Sequence, residues 1–232
     1  MSEVLTSCTY FGVLLTIAAF LFGLWCKRKF GWAICNPLLI AVIVVMGVLL
    51  ALRIDYKAYE ESAQYISYLL TPSTVCLAIP LYRQMKLLRQ NAKAKAIALG
   101  SIAGVLASMG GILLLSVLFG LTHEQYVTLL PKSITTAIGM GISEELGGIV
   151  TITVAVIILT GILGNMIASG VCRLFRIEEP VAKGLAVGTA AHAIGTARAM
   201  EMGEIEGAMS SLAIAVSGTL TACTASLFAM LW

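Results

Sequence analysis

Charge is what this chain lacks most. Only 12% of its 232 residues are Asp, Glu, Lys or Arg, against 59% hydrophobic. A soluble globular domain carries about 25% charge, so this chain cannot coat a water-facing surface, and its solvent is lipid. The catalytic signatures are missing too. No H-E-x-x-H, G-x-x-x-x-G-K-[ST] or G-x-S-x-G occurs, which argues against zinc proteolysis and ATP hydrolysis. Of the six cysteines (Cys8, Cys26, Cys35, Cys76, Cys172 and Cys223) none forms a C-x-x-C pair. They read as small packing residues rather than metal or redox ligands. Basic residues fall in short links rather than on a folded face, so nucleic acid is not an expected partner. The expectation is a protein that is not an enzyme and holds no metal or cofactor.

What is present is apolar sequence in membrane-length runs. Residues 4–26, 34–52, 96–121, 149–171 and 205–232 each have the length a helix needs to cross about 30 Å of hydrocarbon. The first run opens with Glu3, with no basic region before it and no small-residue cleavage site after it. It reads as a retained helix rather than a signal peptide. Residues 65–82, 126–143 and 181–202 are less regular. The first carries Pro72 and Pro80; the second carries Pro131, Gly139 and Gly141. In lipid a broken hydrogen-bond ladder is tolerated only against protein or a wet cavity. These two segments are therefore expected to be discontinuous or re-entrant helices. The fold class is all-α and polytopic, with seven or eight transmembrane segments in a single membrane domain over 1–232. Residues 1–64 would be a two-helix scaffold or oligomerisation element, and 65–232 the transport core.

Lys27, Arg28 and Lys29 follow the first run, and Arg83, Lys86, Arg89, Lys93 and Lys95 precede residue 96 with no acid among them. The positive-inside rule puts both links in the cytoplasm. With eight crossings Arg173, Arg176 and Lys183 would face outward; making 126–143 re-entrant gives seven and removes the conflict. An internal echo pairs residues 69–79 with 129–139, and another pairs 94–104 with 182–192. Paired interrupted segments point to a transporter binding site. Whether such a repeat is inverted stays open at this point.

The polar residues concentrate at the interruptions. Ser73 and Thr74 sit at the first, and Ser133, Thr135 and Thr136 at the second. Helix N-termini exposed at a break attract anions, so the hydroxyls are candidate binding groups for a compact anion. Their alternative is back-bonding to their own helix. An ionised acid at a helix centre costs roughly 2.5–3.5 kcal/mol, which makes Glu144 and Glu145 candidates for proton coupling if they face a cavity, and solvated charges if they lie at an interface. In 181–202, Gly184, Gly188 and Gly195 form a small-residue stripe for helix packing. Thr189, His192 and Thr196 form a polar stripe beside it, with Arg198 less than two turns beyond His192. Arg198 can bind a carboxylate bidentately or mark a helix end.

Three motifs carry a resemblance. PKSITTAIGMGISEELGGI, ILTGILG at 158–164 and KGLAVGTAAHAIGTARAMEMGEIEGAMSSLA closely resemble the signature of the LrgB/CidB family of membrane proteins, and TPSTVCLAIPLYRQ fits it as well. The motif falls on Pro131, Lys132, Ser133, Thr135, Thr136, Ser143, Glu144, Gly147 and Gly148, and later on Gly188, Thr189, His192, Gly195, Thr196 and Arg198. Glu145, Ala137, Ala191 and Ala193 depart from its usual residues, which leaves the substrate open. The resemblance implies an antiholin- or holin-like protein of the inner or plasma membrane that controls murein hydrolases and lysis, acting with a smaller LrgA/CidA-like partner. It also implies kinship with plastid glycolate/glycerate carriers and with pyruvate movement. The expected function is a proton-coupled carrier of small monocarboxylates, forming a homo-oligomer. The substrate would be bound by Ser73, Thr74, Ser133, Thr135, Thr136, Thr189, His192, Thr196 and Arg198. The alternative is the lysis-regulating component.

Overall fold

Long apolar runs leave the backbone no partner but itself, and every regular element in the described residues is an α-helix. The computed structural model describes residues 9–30, 36–69, 72, 75, 76, 79, 82 and 91–232. Nine helices lie in them: α1 (Phe11–Phe30), α2 (Pro37–Leu52), α3 (Tyr56–Ser67), α4 (Asn91–Phe119), α5 (His123–Leu129), α6 (Thr136–Glu145), α7 (Val150–Leu174), α8 (Pro180–Met202) and α9 (Glu204–Ala229). Four are long and apolar enough to cross a membrane: Phe11–Phe30, Lys95–Phe119, Val150–Leu174 and Glu204–Ala229. The chain is a multi-pass membrane protein. It divides into two compact units, Met1–Cys76 and Leu77–Trp232.

In the first unit α1 and α2 pack through Ala19, Ala41 and Val45. Gly23 makes room for the backbone of Pro37, where a Cβ would sit 2.6 Å from the Pro37 carbonyl oxygen. α2 starts at an Asn36 cap whose side chain accepts from the Leu38 and Leu39 N–H groups. α3 is pinned to α1 by two polar contacts. The Gly12 N–H donates to Ser62 Oγ at 2.9 Å, and the Thr16 and Tyr59 hydroxyls meet at 2.8 Å.

The second unit is built from three long helices and two half-length hairpins. α4 and α9 run the same way: Met109 meets Thr224, and beyond their ends the Trp232 indole donates to the Leu121 carbonyl. α7 runs against them. After α4 the chain turns back as α5, a turn at 130–135, and α6. Pro131 faces Gly139, while Thr128 faces Gly148 and accepts from the Ile149 N–H at 2.8 Å. The first hairpin thus starts and ends at the end of the unit where Leu121 and Trp232 lie. The second hairpin is α8. Its backbone leaves helical geometry at Ala191 (φ −130°, ψ 15°) and His192 (φ 41°, ψ −141°). Its arms fold together about that point: Val187 and Ala199 share one buried cluster with Ala168, and Gly195 faces Val187. Lys183 and Met202, near its two ends, line one recess with Arg173 and Glu206, at the opposite end of the unit. A long helix followed by a hairpin is therefore used twice, in opposite directions.

The break corrects one sequence expectation. Gly184, Gly188 and Gly195 were expected on one continuous helix face, as were Thr189, His192 and Thr196. Positive φ at His192 ends that face, and the two stripes are each cut between the arms. Gly184 and Gly188 still do packing work, on α9: a Cβ on Gly184 would lie 2.5 Å from the Glu206 carbonyl oxygen, and one on Gly188 2.7 Å from Ala213 Cβ. Gly195 instead accommodates Ala191 and Val187 of its own hairpin. The echo between 94–104 and 182–192 is not the repeated unit. Those stretches lie side by side and run in the same direction, with Gly100 against Leu185 and Gly104 against Thr189. Their likeness reflects a shared need for close contact.

Candidate functional site

A cavity of about 690 Å³ opens between α4 and the first arm of α8. Ala96 of α4, Glu179 just before α8 and Val181 of α8 stand at its mouth; Ser108, Lys132, Ser133 and Thr189 lie at its far end. From Ala96 to Ser108 is about 18 Å of helix and from Glu179 to Thr189 about 15 Å. Both rulers put the floor at about half the 30 Å hydrocarbon depth. Ser108 is also near the middle of the apolar stretch Lys95–Phe119. The walls are small and apolar, with Gly100, Gly104, Ala107, Ala182, Ala186 and Ala190 among them. Next to the floor residues Val105, Met109, Ile112, Tyr126, Leu130 and Ile134 pack as buried core.

The floor is polar because of the first hairpin's tip. Lys132 Nζ donates to Ser133 Oγ at 2.9 Å and to Ser108 Oγ at 3.4 Å, and Ser108 Oγ donates to Ser133 Oγ at 2.8 Å. Among the described residues no carboxylate pairs with Lys132, whereas Arg198 pairs with Glu201. α6 begins at Thr136, three residues beyond Ser133. Thr135 occupies its N-cap without a side-chain hydrogen bond, so the first-turn N–H groups gain no hydroxyl cap there.

The expected site residues separate into groups. Ser133 and Thr189 line the cavity. Thr189 back-bonds to the Leu185 carbonyl at 2.8 Å, so its proton is spent inside the helix. Thr135 and Thr136 are half-buried beside the tip. His192 is buried but not in the cavity: its Nε2 donates to the Ile157 carbonyl at 3.0 Å. The ring rests on α7 at Gly161, where a Cβ would meet His192 Cε1 at 2.7 Å, and Gly164 receives Ala191. Those two glycines explain the ILTGILG stretch. Thr196 donates to the His192 carbonyl at 2.9 Å and meets Ser210 Oγ at 2.7 Å, between the second arm and α9. Arg198 reaches Ser169 at 2.9 Å and Glu201, away from the cavity. Glu144 and Glu145 end α6 as exposed side chains, at the end of the unit opposite the cavity mouth. Ser73 and Thr74 lie outside the described residues. Among those described, no group of three His, Cys, Asp or Glu side chains is placed to hold a metal.

Two floor residues escaped the sequence-based site. Ser108 sits in an apolar helix and nothing local marks it. Lys132 left a signal: it is the only lysine between 96 and 182, and a cation in such a segment calls for a reason.

The LrgB-like family model matches residues 16–231. Holin-like protein CidB of Staphylococcus aureus (strain Mu50) is 37% identical over 209 residues, 90% of either chain. Its counterpart in Staphylococcus epidermidis (strain ATCC 12228) is 35% identical over the same share. Antiholin-like protein LrgB of Bacillus cereus (strain B4264) is 34% identical over 226 residues, 96% of either chain. No solved structure matches.

Proposed function

The chain belongs to the LrgB-like family, and from that premise we propose that it is a holin- or antiholin-like component of the plasma membrane that regulates murein hydrolase activity and lysis. The observation that carries this reading is likeness along nearly the whole chain to relatives bearing those names. A small LrgA/CidA-like membrane protein is the partner such a role calls for. Deleting the gene from its host should change the rate of autolysis. An unchanged rate, with a partner gene intact, would count against the reading.

One feature of the geometry favours a second reading, a carrier of small monocarboxylates. It is the half-depth cavity with Lys132, Ser133 and Ser108 at its far end. A lysis pore asks for an oligomeric hole rather than a small cavity with a lysine and two serines at its end. In this reading α4, α7 and α9 cross the bilayer, and the two hairpins enter from opposite sides to half depth. The basic residues Arg173, Arg176 and Lys183 then share the cytoplasmic side with the link before α4, as the positive-inside rule asks. Alternating access would come from one hairpin and its helix moving against the rest. Purified protein in liposomes separates the readings. Saturable uptake of C2–C4 monocarboxylates supports the carrier; leakage of unrelated dyes without saturation supports a pore.

A further inference from the structure

We propose that Lys132, Ser133 and Ser108 form a binding centre for one small anion with a single negative charge, and that Lys132 selects the charge. This deepens the carrier reading and rests on it for the centre's purpose.

An ammonium has three N–H donors. Two of Lys132's go to Ser133 and Ser108, and no described residue takes the third. Ser133 Oγ accepts from both Lys132 and Ser108, which fills its two lone pairs. Its own O–H then has no acceptor among the described residues, although the side chain is only 5% exposed. Two unspent donors, one of them charged, thus stand side by side on the floor of a cavity that both residues line. A cation at half the depth of a bilayer calls for a partner, and an anionic ligand supplies the pair that the described chain withholds. The two oxygens of a carboxylate match two adjacent donors.

The count of charges sets the class. Among the described residues that line this cavity, Lys132 is the one cation and Glu179 the one acid. A dianion would leave its second charge against alanine and glycine walls. A neutral ligand would leave the ammonium unpaired.

Acetate, malonate and acetamide form a matched series of one, two and no charges, to be tested by thermal unfolding of the purified full-length protein. Acetate should stabilise the wild type, with malonate and acetamide at least about tenfold weaker. Lys132→Met should weaken acetate about tenfold or more, Ser133→Ala by about threefold, and Lys132→Arg should keep most of the affinity. Should Lys132→Met fail to fold, the Ser133→Ala and Lys132→Arg pair carries the test. Acetate binding to Lys132→Met or to Ser133→Ala at wild-type affinity overturns the proposal. So does tighter binding of malonate or acetamide, or no stabilisation of the wild type. The same preparations in liposomes keep the two ideas apart. Binding without saturable uptake leaves the centre standing and removes the carrier; uptake untouched by Lys132→Met removes the centre and leaves the carrier.

Discussion

His192 shows how much a single side chain can do without touching a cavity. Its φ of 41° is unusual for a residue with a Cβ, and its ring bonds the Ile157 carbonyl across to α7. Strain of that kind persists only where surrounding contacts over-determine it. His192→Ala keeps the strained backbone and loses the bond, so it should destabilise the protein by about 1 kcal/mol. His192→Gly relieves the strain and should recover part of that loss. Thermal unfolding in detergent checks both; an alanine variant as stable as wild type would show that the bond to α7 adds nothing to stability. Glu144 gives the opposite case. It is exposed at the end away from the cavity mouth, so Glu144→Gln should leave acetate stabilisation of the purified protein unchanged. A clear loss would show that this carboxylate reaches the ligand.

Among the elements, the two hairpins rest on small residues where backbones meet. Apolar side chains gain little by leaving lipid for a helix interface, so close van der Waals contact must hold the helices together. Gly188 lies against the Ser210 backbone, and Gly104 sits where a Cβ would be 2.8 Å from Thr189 Oγ1. Gly188→Val should therefore push α8 off α9 and cost about 1–3 kcal/mol. Gly110→Ala on α4 is the control, because a Cβ there meets nothing within 4 Å. Unfolding midpoints of the two variants decide it: equal midpoints would show that the contact can relax. Hydroxyls join the same elements. Thr153 donates to the Thr128 carbonyl at 2.8 Å and meets Ser143 at 2.7 Å, which ties both arms of the first hairpin to the start of α7.

For the whole molecule the testable quantity is sidedness. Arg173 and Lys183 lie near the recess shared by both ends of α8, and Glu144 lies at the other end of the same unit. In a cysteine-free background, Arg173→Cys should react with an impermeant maleimide only when the cytoplasmic face is open, and Glu144→Cys only from outside. Labelling of both from one side would contradict the arrangement of half-depth hairpins.

The membrane environment, the all-helical class and the family were legible in composition and motif, because they depend on local chemistry summed along the chain. The sequence marked 65–82 and 126–143 as interrupted; it read 181–202 as one helix with two stripes, and the break at Ala191 and His192 was not legible. The direction of each arm was not legible. A glycine-rich stretch with period 3.6 reads as one helix face whether or not the backbone turns at its middle, and His192 carries no local mark of positive φ. The partners of Lys132 were hidden for a related reason. Ser108 is 24 residues away in sequence, and only the packing of the hairpin tip on α4 brings their side chains together. Sequence by itself determined what this protein dissolves in, since hydropathy is additive. Tertiary structure decided where its polar groups converge, since convergence depends on which backbones fold back and meet.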